Sequence, residues 1–207
     1  MLRKVNDIYV TEAITFPRCG HTWLSRILKY YFKNSLNYCE KYSNNDDIID
    51  LNENTNLQKN HDFDLLTEIK NDRKYLIQIR NRDDCLNSAF KLDFFRHDKN
   101  FNNVDTDINE KTFTAREFID TYGVSYCDWT IGKREYYSSF VKKWIESSVP
   151  NSKVINYEKL KSDTLSECAS VIKFLTDNDC NEVRLLNAIL YSNKKHTSLF
   201  EYENEVI

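Results

Sequence analysis

The chain has 207 residues, 41% hydrophobic and 29% charged, which suits one domain, 1–207, around a single sizeable core. A formal net charge of -3 argues against a general nucleic-acid binder, whose basic residues would be in clear excess. The start, MLRKVNDIYV, carries charges with no apolar stretch behind them, and no apolar run approaches the roughly 18 residues of a membrane span. The expectation is therefore a cytoplasmic protein with neither nucleic acid nor membrane as partner.

In chain order, Ile8 to Thr15 (IYVTEAIT) suits a buried strand. The turn FPRCG follows, then HTWLSRILKYYF, with Trp23, Leu24, Ile27, Leu28 and Tyr31 at helical spacing. Residues 34–57 are rich in Asn, Asp and Ser and read as a long connection. LQKNH precedes a helix expected from near Asp62. Lys74 to Ile79 (KYLIQI) is a second strand, and Asp83 or Asp84 is the expected cap of a helix reaching about Phe95. Residues 96–113 read as a loop, and helices are expected at about 114–122 and 132–148. The second of these carries Tyr136, Phe140, Val141 and Trp144 on one side. Lys153 to Tyr157 is a third strand, and amphipathic helices near 164–177 and 181–192 close the chain. Strands alternating with helices indicate an α/β fold, a central parallel sheet flanked by helices on both faces.

The six cysteines (19, 39, 85, 127, 168 and 180) include no C-x-x-C pair. Neither a zinc site nor a disulfide framework is expected, and the thiols are read as reduced. Glycine is limited to Gly20, Gly123 and Gly132.

Thr15 to Leu24 (TFPRCGHTWL) joins a strand to a helix. The first helical N–H groups lack internal partners, so such a junction can hold an anion. Gly20 allows close backbone approach, Arg18 supplies fixed positive charge, Thr22 a hydroxyl donor and Trp23 a flat face for a base. Taken alone, the segment fits a plain turn with a surface arginine equally well. It is not a Walker loop, because no Lys-Ser or Lys-Thr follows the glycine.

The same segment resembles the 5′-phosphosulfate loop of the sulfotransferases, Y/F-P-K-S-G-T-T-W-L. Phe16, Pro17, Gly20, Thr22, Trp23 and Leu24 match, while Arg18, Cys19 and His21 replace Lys, Ser and Thr. Arginine keeps the charge in a different shape. The lost serine hydroxyl matters less if the backbone N–H of Cys19 does the binding. Tyr75 to Phe90 (YLIQIRNRDDCLNSAF) resembles the family's 3′-phosphate segment, R-N-x-x-D-x-x-x-S, through Arg80, Asn81, Asp84 and Ser88. Arg80 stands at a strand's carboxyl end, where open α/β sheets hold ligands. Ser88 lies about one turn inside the next helix, so that both can reach one phosphate. A solvated charge cluster capping a helix is the plainer alternative for this segment by itself.

The resemblance implies 3′-phosphoadenosine 5′-phosphosulfate (PAPS) as co-substrate, a P-loop-like sulfotransferase fold, and transfer of the sulfuryl group to a hydroxyl or amine without a metal. The family's K-x-H element falls here on Lys59, Asn60 and His61. A transfer of this kind needs a base for the acceptor's proton, and histidine's ordinary pKa of about 6.5 suits it. It also needs cations where charge builds on the leaving phosphate, which Lys59 and Arg18 can supply. His21 is the alternative base. The cofactor-binding set implied is Arg18, Cys19, Gly20, His21, Thr22, Trp23, Arg80 and Ser88.

The helix YSSFVKKWIE, the pair Tyr157–Glu158 and the helix LSECASVIKFL also resemble family segments, and all three read as core packing. The family's glycine-containing C-terminal lid finds no match; Lys194, Lys195 and His196 are the basic residues that could stand in, or simply form a solvated helix end. The alternatives to an enzyme of this class are a nucleotide-binding module of the same fold without turnover, and a P-loop small-molecule kinase. A small-molecule or carbohydrate acceptor is expected, and the polar stretches 34–57 and 96–113 are its expected walls. Oligomeric state is not legible.

Overall fold

The first expected strand is divided. In the computed structural model, which describes residues 1–41, 54–98 and 126–205, Lys4–Val5 (β1) and Ile8–Tyr9 (β2) form a small antiparallel hairpin. Its turn residues, Asn6 and Asp7, have φ of 51° and 63°, a left-handed conformation that these residue types tolerate best after glycine. After Val10 the chain re-enters as Thr11–Thr15 (β3), buried along its whole length.

Strand β3 is the centre of a five-stranded sheet. Its partners are Leu57–Asn60 (β5) on one side and Lys74–Ile79 (β6) on the other. Beyond these lie Tyr38–Lys41 (β4) and Ser152–Asn156 (β7), giving the order β4-β5-β3-β6-β7. Every pairing is parallel, with Ile14 opposite both Asn60 and Ile77, and Gln78 opposite Ile155. All five carboxyl ends therefore reach one edge.

Side chains alternate across this sheet and build a core on each face. Ala13, Leu57, Leu76 and Ile155 face His21–Phe32 (α1), Thr164–Thr176 (α5) and Glu182–Glu205 (α6), where Leu24, Ile27, Leu28, Val171, Leu175 and Leu185 are buried. Ile14, Tyr75 and Ile77 face Arg82–Asp98 (α2) and Tyr126–Val141 (α3), with Leu86, Phe140 and Trp144 beneath them. The short helix Tyr157–Ser162 (α4) leaves β7 directly and is capped by Asn156, whose Oδ1 accepts from Lys159 N. This is the α/β parallel sheet between two helical layers that the alternating pattern indicated. Among the described residues, no helix is long and apolar enough to cross a membrane.

Several element boundaries differ from the sequence expectation. The connection 34–57 contains β4, a short edge strand whose Glu40 and Lys41 carry no hydrophobic signal. No helix starts near Asp62; Asp62 and Leu65 are left-handed, with φ of 48° and 59°, and the segment turns back on itself. The cap of α2 is Asn81 rather than an aspartate: its Oδ1 accepts from the backbone N of Asp83 (3.0 Å) and Asp84 (3.3 Å). Those two acids lie instead in the first turn, where the helix dipole favours negative charge. Helix α2 continues to Asp98, past the expected end near Phe95 and into the expected loop. The expected helix at 132–148 begins at Tyr126 and widens into a π turn over Lys142–Glu146. The last helix runs on to Glu205. The remainder of the 96–113 loop and the 114–122 helix lie outside the described residues, as do the side chains of Lys194, Lys195 and His196.

Candidate active site

Because the sheet is parallel, the residue after each strand arrives at the same edge: Phe16 after β3, His61 after β5, Arg80 after β6 and Tyr157 after β7. Open α/β sheets hold ligands at this edge. The loop from β3 to α1 is strongly bent, with Arg18 at φ 68° and Gly20 at φ 78°. No side chain caps α1. Trp23 N and Leu24 N donate to Gly20 O, which leaves the N–H groups of His21 and Thr22 to water or an anion. The loop is tied to β6 from below, since Gln78 Nε2 donates to Cys19 O at 2.8 Å and is itself fully buried.

Gly20 is needed twice over. Its φ belongs to the left-handed region, and a Cβ built there would lie 2.4 Å from Cε2 of Tyr157, well inside van der Waals contact. The Tyr157 ring thus fits against bare backbone. Arg80 stacks its guanidinium over the same ring, 4.6 Å from the centroid. The neighbouring Glu158 accepts from Asn81 N at 2.9 Å, joining the two loops. The core-packing role read for Tyr157 and Glu158 is therefore corrected: both stand at the site edge, Tyr157 half-buried and Glu158 exposed. Core packing does describe Trp144 and Cys168, which are 1% and 0% exposed.

The two arginines meet. Arg18 Nε donates to Ser88 Oγ at 2.9 Å, and Arg80 Nη1 reaches Arg18 O at 3.5 Å. Ser88, expected beside Arg80, is bonded to Arg18 instead, and one cationic cluster spans both loops. Cys19 points away from it. Its thiol is buried and lies 3.5 Å from Cys85 Sγ under α2. Burial, reinforced by Cys85, pushes the Cys19 thiol pKa well up, so this side chain is a neutral wedge between the loops. Thr22 is exposed on the first turn of α1. Trp23 lies partly against the core and donates Nε1 to Asn193 Oδ1 at 3.2 Å.

On the other side of β3 stands a second group. His61 Nδ1 is 2.7 Å from the carbonyl oxygen of Thr15 and 3.1 Å from its Oγ1. A carbonyl can only accept, so the proton of the neutral ring sits on Nδ1 and Nε2 carries the lone pair. Burial, with a smaller push from Lys59, lowers the pKa of His61, while the bond to Thr15 opposes them. Lys59 Nζ pairs with Glu40 Oε2 at 3.0 Å. Glu40 Oε1 accepts from Tyr38 OH at 2.8 Å, which leaves that hydroxyl oxygen to accept from His21 Nε2 at 3.2 Å. His21 is thereby part of a chain running to Lys59 through β4. Burial first, then Lys59 and His61, push its pKa down to about 3, so the ring is neutral.

Glu40 and Tyr38 lie in the stretch read as a loop and were missed. So were Gln78, Tyr136 and Tyr137, although Tyr136 donates its hydroxyl hydrogen to His61 O and Tyr137 donates to Arg80 O at 2.8 Å. Burial pushes Tyr137 up to about 12 and raises Tyr136 as well, so both phenols stay protonated donors. A buried glutamine in a strand was the one signal that could have been noticed.

No protein-family model matches the sequence, and no curated protein matches it. Among solved structures the chain is similar to a sulfotransferase from Alicyclobacillus acidocaldarius. The two are 15% identical, with 87% of this chain and 85% of that chain covered and a TM-score of 0.47. At that distance the likeness carries no chemistry over to this chain. What can be said of function comes from the residues described above.

Proposed function

We propose that the protein is a PAPS-dependent sulfotransferase, moving the sulfuryl group to a hydroxyl or amine of a small-molecule or carbohydrate acceptor. The observation that carries this reading is the convergence of Arg18, Ser88 and Arg80 from two strand-to-helix junctions, beside an uncapped helix start. Two anionic groups on one nucleotide suit this pair of junctions: the first offers the uncapped start of α1 with Arg18, and the second offers Arg80, since Asn81 already takes the N–H groups of Asp83 and Asp84. The flat Tyr157 ring between them, at bare Gly20, gives a base or ribose a surface to lie on.

When bound, the donor supplies an activated sulfuryl group. His61 takes the acceptor's proton at Nε2, the nitrogen left unprotonated by the Thr15 bond. Lys59 and Arg18 offer positive charge to the phosphate that leaves. Glu40 keeps Lys59 in place and prevents it from wandering into solvent. The reaction as proposed is an in-line displacement that needs no divalent metal, so activity in EDTA should equal activity without it.

The direct test is 3′-phosphoadenosine 5′-phosphate, which should raise the melting temperature by mass action on the native state. Product formation from PAPS with a panel of phenols, alcohols, amines and sugars then separates an enzyme from a nucleotide-binding module. Binding of ATP with magnesium in preference to the bisphosphate would overturn the proposal.

A further inference from the structure

His61 leaves β5 at a turn held both by its sequence neighbours and by a helix far along the chain. The next residue, Asp62, has φ 48°, a backbone that non-glycine residues seldom adopt. Its carboxylate is fully buried. One oxygen accepts from Lys143 Nζ and from Trp144 Nε1, both at 2.8 Å; the other accepts from Thr67 N at 2.8 Å. Asn60 Oδ1 accepts from Asp62 N at 2.8 Å, and Asn60 Nδ2 donates to Thr67 Oγ1 at 3.0 Å. Lys143 spends its other two protons on the carbonyls of Leu65 (2.8 Å) and Thr67 (2.7 Å).

Three donors and three acceptors make this ammonium fully satisfied. Its place is also unusual, for Lys143 and Trp144 are consecutive yet meet at one oxygen. Adjacent side chains of an α-helix diverge by about 100°. Here the helix widens to a π turn over Lys142–Glu146, a distortion often found near functional sites. It brings both donors to the turn that carries His61, while Tyr136 holds the His61 carbonyl from the same helix.

We propose that Lys143 and Trp144 are positioning residues for His61. Acting through Asp62, they fix the turn that seats the imidazole against Thr15, so that Nδ1 keeps the proton and Nε2 stays available. The role rests on the reading of His61 as the base. A base must be held within hydrogen-bond reach of its proton, and small displacements cost rate steeply.

The test reads the ring without turnover. In ¹⁵N-labelled protein, the His61 ring nitrogens report which one is protonated, and a pH series reports its midpoint. Lys59, Glu40 and His21 act on the ring, Asp62 and Tyr136 bond the turn that carries it, and none of the five is replaced in Trp144→Phe. That variant should lose the Nδ1–H preference in part, and Lys143→Met should lose it further. The His61 midpoint should rise toward 6.5 as the ring loosens into water. If PAPS turnover is present, kcat should fall about 10- to 100-fold in Lys143→Met at unchanged KM for the donor. Parent-like tautomer and midpoint in Trp144→Phe, with only a lower melting temperature, would overturn the proposal even if Lys143→Met fails to fold. Full transfer by His61→Ala would instead overturn His61 as the base and leave the ring measurements standing.

Discussion

The two sides of β3 are built in opposite ways. At the turn that carries His61 polar groups are saturated: Asp62 has three donors within 2.8 Å, and Lys143 places every proton on an oxygen. On the other side, the contacts of the Arg80 side chain are long. Arg80 reaches Arg18 O at 3.5 Å and Asp84 at 4.0 Å, and its buried Nε has no hydrogen-bond partner among the described residues. A buried donor without an acceptor is costly, and a phosphate oxygen is the natural remedy. Under the proposed function the difference separates two tasks. A proton acceptor works best when preorganised, whereas a ligand cradle gains affinity from groups the protein itself leaves undersupplied.

The largest effect should come from the saturated side. His61→Ala is expected to keep the nucleotide-induced rise in melting temperature while transfer falls roughly 100-fold or more, the scale of a general base. A more acidic acceptor should restore part of that loss, because its proton leaves with less help. Transfer at the parent rate would move attention to His21 and to Glu40.

Next comes the cradle. Arg80→Ala should weaken 3′-phosphoadenosine 5′-phosphate by roughly 10- to 100-fold, the scale of a charged hydrogen bond of ~1.5–3 kcal/mol, and adenosine 5′-phosphate much less. Titration calorimetry with both ligands decides it. Equal losses would show that Arg80 does not distinguish the 3′-phosphate and that the contrast between the two sides is misdrawn.

A smaller change tests the joint between them. Gly20→Ala combines a left-handed backbone with a Cβ 2.4 Å from the Tyr157 ring, and should cost about 1–3 kcal/mol in denaturant unfolding. Adding Tyr157→Ala removes the clash but not the strain, so the pair should be less destabilised than the sum of the single changes. Strict additivity would mean the ring moves aside freely.

The smallest effect at neutral pH is that of His21. Its folded pKa of about 3 lies below the ordinary 6.5, so the folded state binds fewer protons than the unfolded chain. The contribution is complete above 6.5 and is lost as pH falls from 6.5 toward 3. Denaturation midpoints taken through this window should decline, and His21→Asn should flatten the decline. An unchanged slope would place His21 in contact with solvent.

How much of this could be seen beforehand divides along the same line. TFPRCGHTWL and RNRDDCLNS are contiguous strand-to-helix junctions, so their charge, glycine and register stand in one short window. The parallel sheet followed from alternating strand and helix patterns, because burial on both faces demands apolar strands. Strand β4 escaped because an edge strand of four residues ending in Glu and Lys needs little hydrophobic signal. The helix expected from Asp62 failed because that carboxylate is consumed by Lys143 and Trp144, far along the chain.

From the sequence alone, then, came the fold class and the two strand-to-helix junctions, since hydrogen bonding and hydrophobic periodicity there act between near neighbours. Only tertiary structure decided that Cys19 turns inward onto Cys85, that Ser88 serves Arg18, and that Tyr157 lies on Gly20. It likewise decided which nitrogen of His61 keeps its proton. Each of those outcomes depends on atoms contributed by separate strands and helices. No local pattern records such a meeting, because the residues concerned become neighbours only after the sheet has brought its carboxyl ends to one edge.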